Sequence, residues 1–322
     1  NALYPLPIYP MGARLVPVVS STTSNTRFSM SLTHPVRVSL IGLGALGILH
    51  ARDLASHPDL CTLTCIADTE RQKRYAREGI FCNNIRLDLS LMAPEEKPEH
   101  KADLIMVCVK ATGLEQTIRD IANHVGEGTI IISLLNGVTS EDMLRTAYPE
   151  ARVIHCIAQG MDALRVDQKL SCSQHGKLVI GTDREELQES VQELAAFFER
   201  VGIPHMVDKD ILHRLYAKWM FNCGINQTIT VFEGTYGTLQ HEAMAVANAQ
   251  GIALDERDFE EYVALADALS SESMPSMRQD ALAHRPTEVE LFSGTLLSKA
   301  RTFAIEAPVN AWLYEKITAL EK

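Results

Sequence analysis

Val38-Ser39-Leu40-Ile41-Gly42-Leu43-Gly44-Ala45-Leu46-Gly47 decides the fold: an apolar run of strand character enters G-x-G-x-x-G, and residues 48–56 continue as a helix. Each glycine has its own steric task. Gly42 permits the tight turn, Gly44 leaves no side chain between backbone and pyrophosphate, and Gly47 lets strand and helix pack closely, with phosphates facing the helix N-terminus. Leu43, Ala45 and Leu46 complete the loop. Alone the three glycines are weak evidence, but their strand-turn-helix setting and a second strand ending at Asp68 point to dinucleotide binding.

Outward from this loop, residues 36–41, 60–67, 104–109, 129–134, 153–158 and 178–181 form short apolar or β-branched runs separated by helix-like stretches. That alternation predicts an α/β fold whose N-terminal Rossmann-type domain is a parallel sheet with helical crossovers. After Pro204 the strand signal stops, and residues 208–225, 241–251, 255–270, 287–303 and 310–320 read as amphipathic helices of an all-helical C-terminal domain. The dinucleotide-binding domain is expected over 35–205 and the helical substrate domain over 206–322. Residues 1–34, Pro-rich and then Ser/Thr-rich without an acidic side chain, read as an N-terminal extension or tag remnant with an original start at Met30; a transit peptide has a similar composition. At Tyr236-Gly237-Thr238-Leu239-Gln240 the chain runs into His241-Glu242-Ala243 without loop chemistry, which implies a shortened helix or missing chain. No internal repeat suggests a solenoid.

At 322 residues the chain exceeds the size at which one core usually splits into two. A formal charge of -11, with no Lys/Arg run, disfavours nucleic acid as a partner. No apolar run approaches the ~20 residues of a membrane span. The seven cysteines are odd in number, scattered and set in apolar stretches, the usage of reduced thiols in a cytoplasm-like compartment. Cys61 and Cys65 have the spacing of half a zinc site, but no second Cys or His pair follows, so no metal is expected.

Asp68 is placed to accept hydrogen bonds from ribose hydroxyls, which favours NAD(H). Arg71, Lys73 and Arg74 follow closely and suit the extra phosphate of NADP(H); both cofactors stay open.

The richest polar pattern is Lys218-Trp219-Met220-Phe221-Asn222-Cys223-Gly224-Ile225-Asn226, with Lys218, Asn222 and Asn226 four residues apart in an apolar helix. Four residues advance ~400° about the axis, so the three share a face. Burial without partners would be costly, hence the stripe faces either water or a polar cleft. In a cleft, a desolvated lysine can donate a proton to a ketone oxygen while the amides grip carboxylate and hydroxyl groups. Ser276 and Asp280 stand one helical turn apart, and Glu288, in Thr287-Glu288-Val289-Glu290, is a second carboxylate candidate; an acidic first turn of a helix would look the same.

With these residues in place, the chain resembles the ketopantoate reductases over 36–317. Val109-Lys110-Ala111 and Leu134-Leu135-Asn136-Gly137 match two further elements of that family. The resemblance implies a helical domain like the C-terminal part of 6-phosphogluconate dehydrogenases, and NADPH-dependent reduction of 2-dehydropantoate to pantoate in pantothenate and coenzyme A biosynthesis. It further implies Lys218 as general acid, Glu288 as the carboxylate ordering the ternary site, and Lys110 and Asn136 at the nicotinamide end. Asn136, Asn222, Asn226 and Ser276 are the implied substrate contacts, and a homodimer is compatible. Asp68 departs from the family's arginine at that position, which keeps NAD(H) open. The rivals are reduction of another small keto acid and a non-catalytic dinucleotide-sensing module; a methyltransferase would leave the Lys218 helix without a purpose.

Overall fold

The structure, a computed structural model, describes residues 35–231, 237–267, 276–282 and 284–321. The expected N-terminal extension and Tyr236 lie outside these residues. The elements in chain order are β1 (Val36–Ile41), α1 (Ala45–Ala55), β2 (Cys61–Ile66), α2 (Thr69–Glu78), β3 (Phe81–Cys82), β4 (Ile85–Arg86), β5 (Ser90–Met92), β6 (Leu104–Val107), α3 (Leu114–Asp120), β7 (Ile130–Ser133) and α4 (Ser140–Ala147). Then come β8 (Arg152–Gln159), β9 (Leu164–Val166), β10 (Lys169–Ser171), β11 (Lys177–Gly181), α5 (Gln188–Arg200) and β12 (His205–Val207), followed by α6 (Ile211–Val231), α7 (Gly237–Ala249), α8 (Glu256–Asp267), α9 (Ser276–Leu282), α10 (Thr295–Thr302) and α11 (Pro308–Leu320).

The main sheet has the order β12-β11-β8-β7-β6-β1-β2-β5. From β8 through β5 every neighbouring pair is parallel. β6 (LIMV) and β7 (IIIS) are buried at every residue, as expected of parallel strands covered on both faces. The expected parallel sheet is mixed at one edge, where β11 lies antiparallel to β8. A parallel return needs a crossover connection, usually helical. Between β8 and β11 the chain instead makes the β9-β10 hairpin, which joins β3 and β4 in a second sheet of order β4-β3-β10-β9. The sheet also continues past Pro204, since β12 pairs with β11. Its three residues are too few to display a period.

α6 is apolar around most of its circumference, so it must be surrounded. It packs against α7, α8, α9 and α11. Trp219, Met220 and Cys223 are buried, and Trp219 Nε1 donates to the Leu291 carbonyl at 2.9 Å. Burying a side chain of this size is worth roughly 3 kcal/mol. The cluster around α6 takes in Val138, Ile157 and Val179 from the sheet side, which seats α6 beside the strand ends. The expected helix over 287–303 is interrupted: residues 287–289 are non-helical, Glu290–Gly294 forms a π-turn, and α10 starts at Thr295. Glu321 captures the Thr287 N–H and hydroxyl at 2.8 and 2.5 Å, and Ser293 Oγ donates to Asn310 at 2.9 Å. These contacts compete with regular helix formation.

Candidate active site

Because β2, β1, β6, β7 and β8 are consecutive parallel neighbours, their C-terminal ends deliver one rim in spatial order. Asp68 follows β2, the Gly42 to Gly47 turn follows β1, Lys110 follows β6, Asn136 follows β7, and Ala158 lies near the end of β8. Ligands of such sheets bind at this edge.

The glycine turn is set by contact. Gly42 has φ +96°, and a Cβ there would stand 2.7 Å from the Cys108 backbone. A Cβ on Gly47 would stand 2.0 Å from the Gly42 carbonyl oxygen. At Gly44 a Cβ would meet only the Cys108 carbonyl at 3.7 Å, an ordinary contact. The protein's own packing therefore does not demand glycine there, whereas a pyrophosphate pressed against the backbone does. Gly44 is also the N-cap of α1, makes no side-chain cap and is followed by no acidic residue in the first turn, so the helix end suits an anion. The adjoining cleft has a volume of about 480 Å³ and is lined in part by Gly44, Ala45, Leu46, Lys110, Asn136 and Glu288. It is the size of an ordinary small-ligand site, and these features fit a bound dinucleotide.

Lys218, half-buried on α6, donates from Nζ to the Ala158 carbonyl at 2.7 Å and to Asn136 Oδ1 at 3.1 Å. Asn136 Nδ2 in turn donates to Glu288 Oε2 at 3.1 Å. The amide thus joins ammonium to carboxylate, and its two partners fix which end is oxygen. Burial pulls the Lys218 ammonium down to about 8, with the Glu288 charge resisting. Burial also pushes the Glu288 carboxyl above its ordinary value, against the Asn136 hydrogen bond and the Lys110 charge. An ammonium with three N–H donors, two of them engaged, retains one for a ligand oxygen. Lys110 Nζ meets Asp280 Oδ2 at 2.6 Å, and Arg285 Nε meets Asp280 Oδ1 at 2.9 Å.

Two family models cover most of the chain: "Ketopantoate reductase PanE/ApbA" matches residues 38–185 and "Ketopantoate reductase PanE/ApbA C terminal" residues 210–321. The chain belongs to the ketopantoate reductase family. A 2-dehydropantoate 2-reductase of Streptococcus pyogenes is 26% identical over 247 residues, 72% of this chain and 80% of that protein. Among solved structures, a dimeric ketopantoate reductase from Staphylococcus aureus superposes with TM-score 0.74 at 18% identity, over 89% of this chain and 99% of that one. A D-mandelate dehydrogenase solved with NADH and anilino(oxo)acetate gives TM-score 0.77 at 20% identity, over 89% and 98%.

Of the residues singled out in the sequence, the structure gathers Lys110, Asn136, Lys218 and Glu288 with the glycine turn. Lys218 stands one hydrogen bond behind the cleft wall. Asn222 and Asn226 are buried, 6% and 9% exposed, with Asn226 Nδ2 donating to Asn222 Oδ1 at 3.2 Å. They do not line the 480 Å³ cleft, so the stripe faces neither open water nor that cleft along its whole length. The Ser276 side chain lies outside the described residues. Asp68 sits at the expected strand end, but its carboxylate caps α2, accepting from the Arg71 N–H at 2.7 Å and pairing with the Arg71 guanidinium at 3.0 Å. Glu288 is not in the first turn of a helix; it precedes the π-turn with its carboxylate on Asn136.

Sequence reasoning missed Arg165 and Arg285, which line the cleft with Arg74. Arg165 sits in the unforeseen β9-β10 hairpin, and Arg285 follows α9 in a segment without periodicity. Residue type was the only available signal, since a guanidinium suits phosphate.

Proposed function

We propose that the chain reduces 2-dehydropantoate to pantoate, with Lys218 as the proton donor. The observation that carries this reading is the Lys218-Asn136-Glu288 chain of hydrogen bonds at the rim that holds the glycine turn. When bound, the nicotinamide supplies a hydride for the C2 ketone. Asn136, Lys110 and the α1 N-terminus orient the two ligands. The remaining Lys218 N–H donates to the ketone oxygen and releases its proton as the alcohol forms; such catalytic bonds tighten in the substrate complex. Glu288 keeps the ammonium charged in its desolvated position and aligns Asn136. Asn222, Asn226 and Ser276 extend the substrate grip along α6 and α9. The dinucleotide domain is assigned to residues 35–205 and the helical domain to 206–322, with β12 crossing that boundary to complete the sheet.

NADP(H) is the proposed cofactor. Arg74 lines the cleft, and its buried Nε has no partner among the described residues. Asp68 is occupied by Arg71. A guanidinium is suited to a 2'-phosphate, and NAD(H) is the alternative. The seven free thiols support a cytoplasmic setting, and the dimeric Staphylococcus aureus relative supports a homodimer. The second reading is reduction of a different 2-keto acid, favoured by the fold shared with D-mandelate dehydrogenase.

Steady-state oxidation of NADPH and NADH, with ketopantoate and a panel of small 2-keto acids, tests substrate and cofactor together. The expected result is ketopantoate-dependent turnover with kcat/KM at least ~10-fold higher for NADPH, the worth of one charge-assisted contact. Turnover only with another acid selects the second reading. Cofactor binding without any keto-acid-dependent oxidation would leave a dinucleotide-sensing module.

A further inference from the structure

Besides its glycine turn, α1 carries a second polar cluster. His50 and Asp53 stand one helical turn apart on α1, and His175 approaches from the connection between β10 and β11. One ligand atom from each lies within 4.8 Å of the others. Both imidazoles converge on a single oxygen: Asp53 Oδ2 is 2.7 Å from His175 Nε2 and 3.3 Å from His50 Nδ1. The other oxygen, Oδ1, is taken by Arg52 at 2.6 Å. The two rings meet edge to face at 5.8 Å.

The surroundings are unusual for a plain hydrogen-bond network. His50 is 0% exposed, and its Nε2 has no polar partner among the described residues. Its Nδ1 has only the long contact to Asp53. A buried imidazole left so poorly paired is costly, and an aliphatic side chain would serve the packing of α1 better. Two imidazoles and a carboxylate converging on one point are a donor set for a zinc-type cation; the nitrogen donors argue against calcium or magnesium. Water can fill a fourth position.

We propose that His50, Asp53 and His175 form a binding site for a zinc-type transition-metal ion that clamps α1 to the β10-β11 connection. Bonds of ~2.0–2.1 Å around a tetrahedral ion place ligand atoms roughly 3.4 Å apart. The present spacings, from 2.7 Å to at most 4.8 Å, reach that by side-chain rotation. His175, its side chain 24% exposed, gives the ion a route in, and Arg52 on Oδ1 orients the carboxylate from outside the coordination sphere. The clamp has a structural purpose. The β9-β10 hairpin carries Ala163, Arg165, Asp167 and Gln168, which form one wall of the cleft, and the ion ties that wall to the helix bearing the glycine turn. Ligand-spacing rules along the chain miss such a site, because His175 is 122 positions from Asp53.

The site is independent of the reductase reading and is tested without turnover. The full-length chain, free of any affinity tag, is stripped with a chelator and titrated with zinc, and separately with cobalt(II). The expected result is one zinc per chain, a raised melting temperature and a visible cobalt band of tetrahedral type. His175→Ala is expected to weaken zinc binding at least ~10-fold, and the double variant His50→Gln/His175→Ala to abolish the cobalt band. Circular dichroism of the metal-free variants, matching that of the metal-free parent, verifies that both are folded. No stoichiometric zinc in the parent overturns the proposal. So does an unchanged cobalt band in the folded double variant, which would place the ion elsewhere.

Discussion

The glycine turn and the Lys218 cluster meet at the same rim, but they are made in opposite ways. The turn is ten consecutive residues, and its first and last glycines are confined by the turn's own backbone, by Cys108 and by Val109. The cluster draws Lys218 from α6, Asn136 from the end of β7 and Glu288 from the π-turn approach, with 82 and 152 positions separating Asn136 from its two partners. A site encoded locally tolerates little change of shape. One assembled at long range tolerates shape changes but depends on the electrostatics of each member.

Gly47 should show the largest effect. A methyl group 2.0 Å from the Gly42 carbonyl oxygen cannot be absorbed by a flexible side chain, since the neighbour is backbone. Gly47→Ala is expected to cost ~3 kcal/mol or more, seen as a melting temperature about 6–12 °C lower or as loss of soluble protein. A melting curve like the parent's would show that the local encoding is looser than the contacts imply. Lys218→Ala should have the converse profile. Dinucleotide affinity by fluorescence titration stays within about twofold, while kcat falls ~100-fold or more, as expected when a general acid is lost. A fully active variant would remove Lys218 from the chemistry.

The pH profile sharpens the long-range half of the comparison. The proton donor is the charged form of Lys218, present below about pH 8 and lost above it. The groups facing it are Asn136, the Ala158 carbonyl, Glu288 and the buried Cys156. Turnover should decline about tenfold per pH unit above that limb, well below the 10.5 of an ordinary lysine. Glu288 supports the ammonium through its charge, so Glu288→Gln should move the limb to lower pH. A limb that stays in place would mean that the two groups are not electrostatically coupled.

The same contrast accounts for what the sequence disclosed. β1, β2, β6, β7, β8 and β11 were legible because each is an apolar run bounded by turn residues. β3, β4, β9, β10 and β12 have two or three residues each, too few to display a period, and their pairing is decided by tertiary contacts. Lys110, Asn136, Lys218 and Glu288 were legible as residue types in recognisable motifs, yet the hydrogen bonds joining them were not. The stripe of Lys218, Asn222 and Asn226 was correct as helical geometry, but α7, α9 and α11 close over α6, so its members have different surroundings. At Asp68 the strand end was legible as a place for a ribose contact, whereas the local capping role of the same carboxylate, on the Arg71 N–H, was not.

Gly44 should give the smallest change, and it separates the two glycines of one motif. Gly44→Ala places a methyl group 3.7 Å from the nearest heavy atom outside its neighbours, so the melting temperature should stay close to the parent's, because alanine's restriction of the unfolded chain offsets its poorer fit at the α1 N-cap. If a pyrophosphate presses against this backbone, the same methyl group stands in its path, and dinucleotide affinity should fall about 10-fold, ~1.4 kcal/mol. A Gly44→Ala variant that binds dinucleotide as tightly as the parent would place the phosphates elsewhere, even with the fold intact. Reading stability and affinity on both variants therefore distinguishes the glycine that the protein needs in order to fold from the one that its ligand needs in order to bind.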